Sequence, residues 1–259
     1  MISLTSAELN AWIVAYFFPL ARILALLVSA PPFNNRGLSG QVRLVLGLTI
    51  ALAITPALPP IPVLDPASGY GLLILAQQML IGFAMGFSLR LVFSAIDMAG
   101  NMIGMQMGLG FATAYDPQSA SQTAVISEFI SLLGLLVFMA INGHLMAITT
   151  LVESFKSLPI GVGVLENGSW LNIANAGGVI FSSGVLLALP IVVALLITNI
   201  ALGVLGRVAP QLNLMAIGFP VTIVLGFAAL MVSMSYLSAP LQRLFEFGLR
   251  SMMGYFVIR

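Results

Sequence analysis

The sequence predicts an all-α membrane protein with about six long apolar helices. Three observations support this: 60% of the 259 residues are hydrophobic, only 7% are charged, and the mean hydropathy is +1.11. A soluble domain carries about 25% charged residues, so this chain cannot cover a water-facing surface. The apolar runs are also long and apolar on every face, whereas strands of a membrane barrel would alternate over about 10 residues. Helices are therefore expected.

Six runs that are nearly free of charge are each expected to be helical; they cover residues 9–30, 42–58, 70–93, 125–151, 173–206 and 217–236. Proline and glycine clusters separate them. The fifth run has 34 residues and would reach about 50 Å as a straight helix, against a hydrocarbon core of about 30 Å. We therefore expect the last third to be a bent helical hairpin, with a bend or break at Gly177-Gly178, Gly184 or Pro190.

The sequence lacks residues that several functional classes require. A net charge of +1 provides no basic surface for nucleic acid, and there is no cysteine for disulfides or thiolate chemistry. Neither a Gly-x-Ser-x-Gly elbow nor a P-loop is present. The single histidine, His144, cannot form a two-histidine metal site, and we expect it to be a structural group. The sequence thus predicts no enzyme and no cofactor. Because no basic residue precedes Arg22, we also expect the chain to have no cleaved signal peptide.

A few charged residues lie within or beside the apolar runs, where charges are costly unless paired or wet; they are Arg22, Arg90, Asp97, Asp116, Glu128 and Arg207. Arg90 and Asp97 are seven residues apart, which places them on one helix face two turns apart. Two interpretations remain open. They form a buried charge pair, bridged by a polar group or completed by a neighbouring subunit, or they are interfacial charges that extend to the headgroups.

The stretch from Asp97 to Ser127 is unusual in its glycines and methionines. Glycines recur every four residues on one helix face, where a second backbone can approach closely; they are Gly100, Gly104 and Gly108, preceded by Gly82 and Gly86. Flexible thioethers lie between them, at Met98, Met102, Met105 and Met107. One interpretation is a tightly packed helix pair followed by a polar loop. The other is a deformable constriction that seals against ions and yields to something large.

Four short motifs follow one another along nearly the whole chain. They are Pro31-Pro32-Phe33 with Arg36 and Arg43; Gly108-Leu109-Gly110-Phe111-Ala112 with Asp116-Pro117-Gln118; Asn142-Gly143-His144 with Ser154-Phe155 and Pro159; and Ala209-Pro210-Gln211-Leu212-Asn213 before Gly218-Phe219-Pro220. In this order they resemble the FliR/SctT family of the type III secretion export gate, in its flagellar branch. Several ordered motifs are far more specific than any one of them.

The resemblance implies a structural subunit of a protein-conducting channel. Members assemble with several copies of FliP-like and FliQ-like partners in a helical gate at the flagellar basal body. The gate contacts membrane lipid and other export-apparatus membrane proteins, and exported flagellar proteins pass through it. It belongs to the bacterial inner membrane and lies largely above the bilayer, on the periplasmic side. One copy closes the assembly. Residues 1–165 would then be a FliP-like part and residues 166–259 a FliQ-like hairpin.

The resemblance also assigns roles to residues. The loop after the third long helix, residues 108–121, would plug the pore with Phe111 pointing inward; the residues concerned are Gly108, Leu109, Gly110, Phe111, Ala112 and Thr113. A gasket or helix-packing role falls to Gly100, Gly104, Met102, Met105 and Met107. The alternative is a polytopic small-solute transporter, which inverted repeats and midplane charges would mark. An intramembrane enzyme is a weaker alternative because catalytic residues are missing.

Overall fold

The computed structural model describes residues 6–34, 37–59, 65–66, 68–110, 125–161, 175–211 and 214–254, and these residues are almost entirely helical. The helices are α1 (Ser6–Ser29), α2 (Gly40–Ile54), α3 (Gly69–Gln106), α4 (Val125–Ala140), α5 (Gly143–Ser157), α6 (Gly178–Val208) and α7 (Leu214–Gly254), with a 3-10 turn at Thr55–Ala57 after α2. Four of these segments are long and apolar enough to cross a membrane, or five if α4 and α5 form one span. The prediction of an all-α membrane protein is confirmed.

Two helices extend well beyond the apolar runs that predict them. Helix α3 continues past residue 93 to Gln106, and α7 continues past residue 236 to Gly254. In the last part of α7 the charged residues are exposed, whereas apolar residues three or four positions apart are buried; the buried ones are Leu241, Leu244, Phe245, Leu249 and Met252. The predicted runs end where polar and charged residues become more frequent, but the helical spacing of apolar residues continues beyond them.

The fourth apolar run is broken into two helices, α4 and α5, which are bent by 64°. Asn142 lies at the break with a φ of 57°, a left-handed conformation that asparagine tolerates better than most residues. Its carbonyl accepts the backbone N–H groups of Leu145 and Met146 and so begins α5. Gly177 is a turn residue before α6, whereas α6 is continuous through Gly184 and Pro190. A break therefore occurs at one of the expected positions, Gly177-Gly178, and a further bend that we did not expect occurs at Asn142.

The chain forms two compact units. The first comprises Met1–Leu91, Asn142–Ala176 and Glu246–Arg259, and the second comprises Val92–Ile141 and Gly177–Phe245. Helix α3 contributes its first part to one unit and its second part to the other. The predicted division between residues 165 and 166 lies outside the described residues, so the separation into FliP-like and FliQ-like parts stays a prediction.

Close helix packing in the first unit depends on two glycines of α3. A methyl group on Gly82 would overlap the backbone carbonyl of Arg22, and one on Gly86 would overlap the hydroxyl of Ser29. Helix α1 therefore lies directly against the α3 backbone, as small residues at four-residue spacing permit.

Three buried phenylalanines pack together in the second unit. The rings of Phe93, Phe138 and Phe245 pack with centroid separations of 5.2–5.9 Å, in the tilted and edge-on arrangements that aromatic pairs prefer. Gly134 of α4 lies beside these rings and allows a close approach to α3. A methyl group on Gly134 would lie 3.0 Å from the Ile96 side chain and 3.9 Å from the Phe245 ring.

Candidate functional site at the end of helix α3

Helix α3 ends in a glycine cap at the first residue of the predicted plug. The N–H of Gly108 donates to the carbonyl of Met105 at 3.0 Å, and the N–H of Leu109 donates to that of Gly104 at 3.1 Å. Gly108 has a φ of +84°. This pattern is a Schellman motif, in which the left-handed residue is usually glycine because a Cβ is disfavoured there. The chain thus leaves α3 in a defined direction.

Gly108 is also restricted by its neighbour in α7. A Cβ at this position would lie 2.8 Å from two carbon atoms of the Phe219 ring, closer than carbon atoms pack. Gly110 is different, because the nearest atom to a Cβ there is Cγ of Met105 at 3.8 Å. The rest of the predicted plug, including Phe111, Ala112 and Thr113, lies outside the described residues. Its role stays a prediction.

Gly100 lies against the beginning of α4. A methyl group on Gly100 would overlap the backbone of Ser127, and the Ser127 hydroxyl donates to the Asp97 carbonyl at 3.0 Å. Gly104, one turn further along α3, is buried. The glycine spacing that the sequence shows therefore serves two neighbours of α3: α1 within the first unit and α4 within the second.

The methionines of the predicted gasket have different surroundings. Met107 is fully buried, Met102 is half-buried and Met105 is 64% exposed. Within the single chain they therefore do not form one continuous surface. A gasket would have to be completed by neighbouring subunits, and this role stays a prediction.

The proposed charge pair is not buried by this chain. Arg90 and Asp97 are both exposed on α3, and the Asp97 carboxylate accepts a hydrogen bond from the hydroxyl of Ser131 in α4. Exposed charges on an apolar helix fit either interfacial positions or contact with another subunit. Burial of this pair at a subunit interface stays a prediction.

A buried arginine cluster ties together the helices of the first unit. Arg22 of α1 is 0% exposed. Its guanidinium donates to Oε1 of Gln78 from Nε at 2.8 Å and from Nη2 at 2.5 Å. It also donates to the hydroxyl of Ser154 at 3.1 Å and to the carbonyl of Leu158 at 2.9 Å. The ring of Phe155 lies 4.1 Å from its Cζ, so α1, α3 and α5 meet at one cation.

The contacts of Arg22 within the described residues are all to neutral groups. Burying a charge is costly unless its donors are satisfied, and here uncharged oxygens and an aromatic face satisfy them. Arg22 stands out in the sequence as a charge within an apolar run, but most of its partners do not. The sequence does point to Gln78 as a partner, because a polar residue in the middle of an apolar run is expected to contact another polar group at the same depth.

His144 follows the bend between α4 and α5. It is half-buried, and its Nδ1 has no hydrogen-bond partner in the part of the chain that the structure describes. Within the same residues, no three potential metal ligands come together.

Long apolar helices, backbone contacts at glycines and a buried cation satisfied by neutral groups define a structural helical membrane protein. The chain matches the family described as bacterial export proteins, family 1, over residues 13–248. It belongs to this family, the FliR family of the flagellar export apparatus, whose members are not enzymes. The family resemblance indicated by the four sequence motifs is thereby confirmed.

Curated relatives align with about nine-tenths of the chain. The flagellar biosynthetic protein FliR of Escherichia coli (strain K12) is 43% identical over 242 residues, which cover 93% of this chain and 91% of the relative. FliR of Pectobacterium carotovorum is 42% identical over 232 residues, covering 89% and 88%. FliR of Bacillus subtilis (strain 168) is 26% identical over 241 residues, covering 92% and 93%.

Proposed function

We propose that the chain is a structural subunit of the protein-conducting gate of the flagellar type III export system. In this role it closes a helical assembly of FliP-like and FliQ-like subunits in the bacterial inner membrane. One observation carries the proposal: in α3, 67% of the most apolar stretch is buried, compared with 11% in Gly40–Ala57, 22% in α6 and 17% in α7. Most of the apolar surface in the last three of these stretches is thus left for other molecules.

Contact with lipid alone does not account for this exposed apolar surface, because two of the helices are longer than the hydrocarbon core is thick. At about 1.5 Å per residue, the 38-residue α3 and the 41-residue α7 would reach about 57 Å and 61 Å, about twice the hydrocarbon core. Parts of these helices therefore extend beyond the bilayer unless they are strongly tilted. Apolar surface outside the hydrocarbon core requires protein partners, which supports an assembly that lies partly outside the bilayer.

We further propose that residues 108–121 seal the pore of this assembly. The described beginning of this segment, from Gly108 to Gly110, leaves α3 through the glycine cap. Deleting residues 111–121 should leave assembly intact and increase the permeability of cells to small molecules, because the segment seals the lumen and does not hold the helices together. Unchanged permeability in a normally assembled complex would contradict the plug.

Purification from detergent-solubilised membranes tests the gate itself. A tagged chain should co-purify at fixed stoichiometry with two other small apolar membrane proteins, and deleting the chain should abolish flagellar export. A tagged unrelated permease, purified in the same way, controls for nonspecific association. A monomer or homodimer without partners would contradict the proposal and support a small-solute transporter.

A further inference from the structure

The backbone carbonyl at the end of α3 is satisfied by a side chain of α7. Met107 caps α3, and the last carbonyls of a helix have no partner within that helix. The hydroxyl of Thr222, which is buried, lies 3.0 Å from the Met107 carbonyl. The same hydroxyl also lies 3.0 Å from the carbonyl of Phe219 in its own helix. Its single proton is therefore shared between the two carbonyls. The bond to Met107 connects two elements that are far apart in sequence.

The side chain of Met107 occupies space that Gly226 leaves open. A Cβ on Gly226 would lie 2.5 Å from Cγ and 2.8 Å from Sδ of Met107. Phe219, Thr222 and Gly226 are three and four residues apart and therefore share one face of α7. This face contacts both the cap residue Met107 and the left-handed Gly108. We refer to Phe219, Thr222 and Gly226 as the anchor.

We propose that the anchor is a control point of the gate: it holds the end of α3 when the gate is closed and must release it during export. This inference rests on the proposed function. The glycine cap keeps the end of α3 folded by itself, so release breaks only the contacts with α7. Those contacts are one shared hydrogen bond, the packing of flexible Met107 against Gly226, and the packing of Phe219 against Gly108. Pro220, inside the anchor, removes one backbone hydrogen bond from α7 and favours bending there.

Thr222→Val tests the hydrogen bond with little change in side-chain size. In cells with the assembled gate, we expect the leak of small molecules to rise about fivefold, because one hydrogen bond biases a two-state equilibrium by about that factor. Thr222→Ser retains the hydroxyl and should restore the low leak. Thr198→Val is the matched control, since the Thr198 hydroxyl donates at 3.0 Å to the Ala194 carbonyl of its own helix. It should leave the leak unchanged.

A reversible cross-link tests the need for release. The chain contains no cysteine, so in the double variant M107C/G226C only the introduced pair can form a disulfide within it. The Met107 side chain reaches to within 2.5 Å of a Cβ built on Gly226, so the two introduced thiols are expected to meet. Oxidation should lower export at least about tenfold without loss of the complex, and a reductant should restore it. In each single variant, M107C or G226C, export should be the same with and without the oxidant.

The outcomes distinguish a failure of the anchor proposal from a failure of the proposed gate function. Export at the wild-type rate in the oxidised, fully cross-linked protein would overturn the anchor, and so would an unchanged leak in assembled Thr222→Val. If Thr222→Val does not accumulate, the cross-link alone decides. Export that persists when the whole chain is deleted would instead contradict the proposed function. Export that requires the chain but ignores the cross-link would contradict only the anchor.

Discussion

The guanidinium of Arg22 and the amide oxygen of Gln78 form a two-donor contact between α1 and α3. Nε and Nη2 of Arg22 lie 2.8 Å and 2.5 Å from the same atom, Oε1 of Gln78. The remaining donors reach Ser154 and Leu158. Only a planar group with donors at several fixed angles can satisfy these oxygens together, which distinguishes arginine from lysine here.

Arg22→Lys should therefore destabilise the protein although it preserves the charge. A lysine cannot reach all three oxygens, and a buried polar group left without a partner costs about 1–3 kcal/mol. We expect the unfolding midpoint of the purified chain in detergent to fall by about 5 °C or more. The matched control is Arg250→Lys, because the Arg250 side chain is 84% exposed and 4.0 Å from Glu246. Equal midpoints for both variants would show that the cluster contributes little.

Gly108→Ala should be much more harmful than Gly110→Ala. At Gly108 an alanine must adopt a φ of +84° and displace the Phe219 ring, and the left-handed conformation alone costs about 1–2 kcal/mol. At Gly110 the nearest atom is 3.8 Å from the added Cβ. Thermal unfolding of both variants checks this difference. A smaller loss for Gly108→Ala than for Gly110→Ala would contradict the cap geometry.

Gly100→Ala and Gly203→Ala should shift the stability in opposite directions. The added methyl group at Gly100 overlaps the Ser127 backbone, whereas nothing lies within 4 Å of a Cβ at Gly203. Overpacking costs about 1–3 kcal/mol, but glycine to alanine in an open helical position gains up to about 1 kcal/mol. Denaturation of each variant as an isolated chain in detergent measures both effects. Destabilisation by Gly203→Ala would show that the close contact is not the cause.

Neutralising Arg90 or Asp97 should have its main effect in the assembled complex. Both side chains are exposed in the single chain, so Arg90→Leu should change its stability little. If a neighbouring subunit buries the pair, removing one charge leaves the other unpaired, which costs about 3–5 kcal/mol. Swimming motility should then be lower in Arg90→Leu and in Asp97→Leu than in the double variant. Additive losses would favour two independent interfacial charges.

His144→Gln should export flagellar proteins at a nearly normal rate between about pH 6 and pH 8, the range in which histidine commonly changes its charge. Glutamine keeps a donor and an acceptor at similar size, and the structure gives His144 no metal-binding group in the described residues. Export rates at several pH values, compared with the wild type, provide the measurement. A nearly complete loss with normal protein level and assembly would revive a proton-coupled role.

The sequence by itself determined the membrane class, the helical runs and the family. Hydropathy and charge are properties of each local stretch, so they predict which segments avoid water without knowledge of their neighbours. The four ordered motifs identified the family. The sequence also selected Met107 and Gly108 as unusual, because glycine spacing and methionine content are visible in one dimension.

Only the tertiary structure decided which residues these segments contact. Gln78 and Ser154 are 56 and 132 residues from Arg22 in the chain, and Thr222 is 115 residues from Met107. In apolar helices almost every face is hydrophobic, so periodicity does not indicate which face packs against which neighbour. The break at Asn142 has a related cause. Its left-handed backbone ends α4 and lets α5 begin in a new direction. The run without charged residues continues across this position, so hydropathy does not reveal the break.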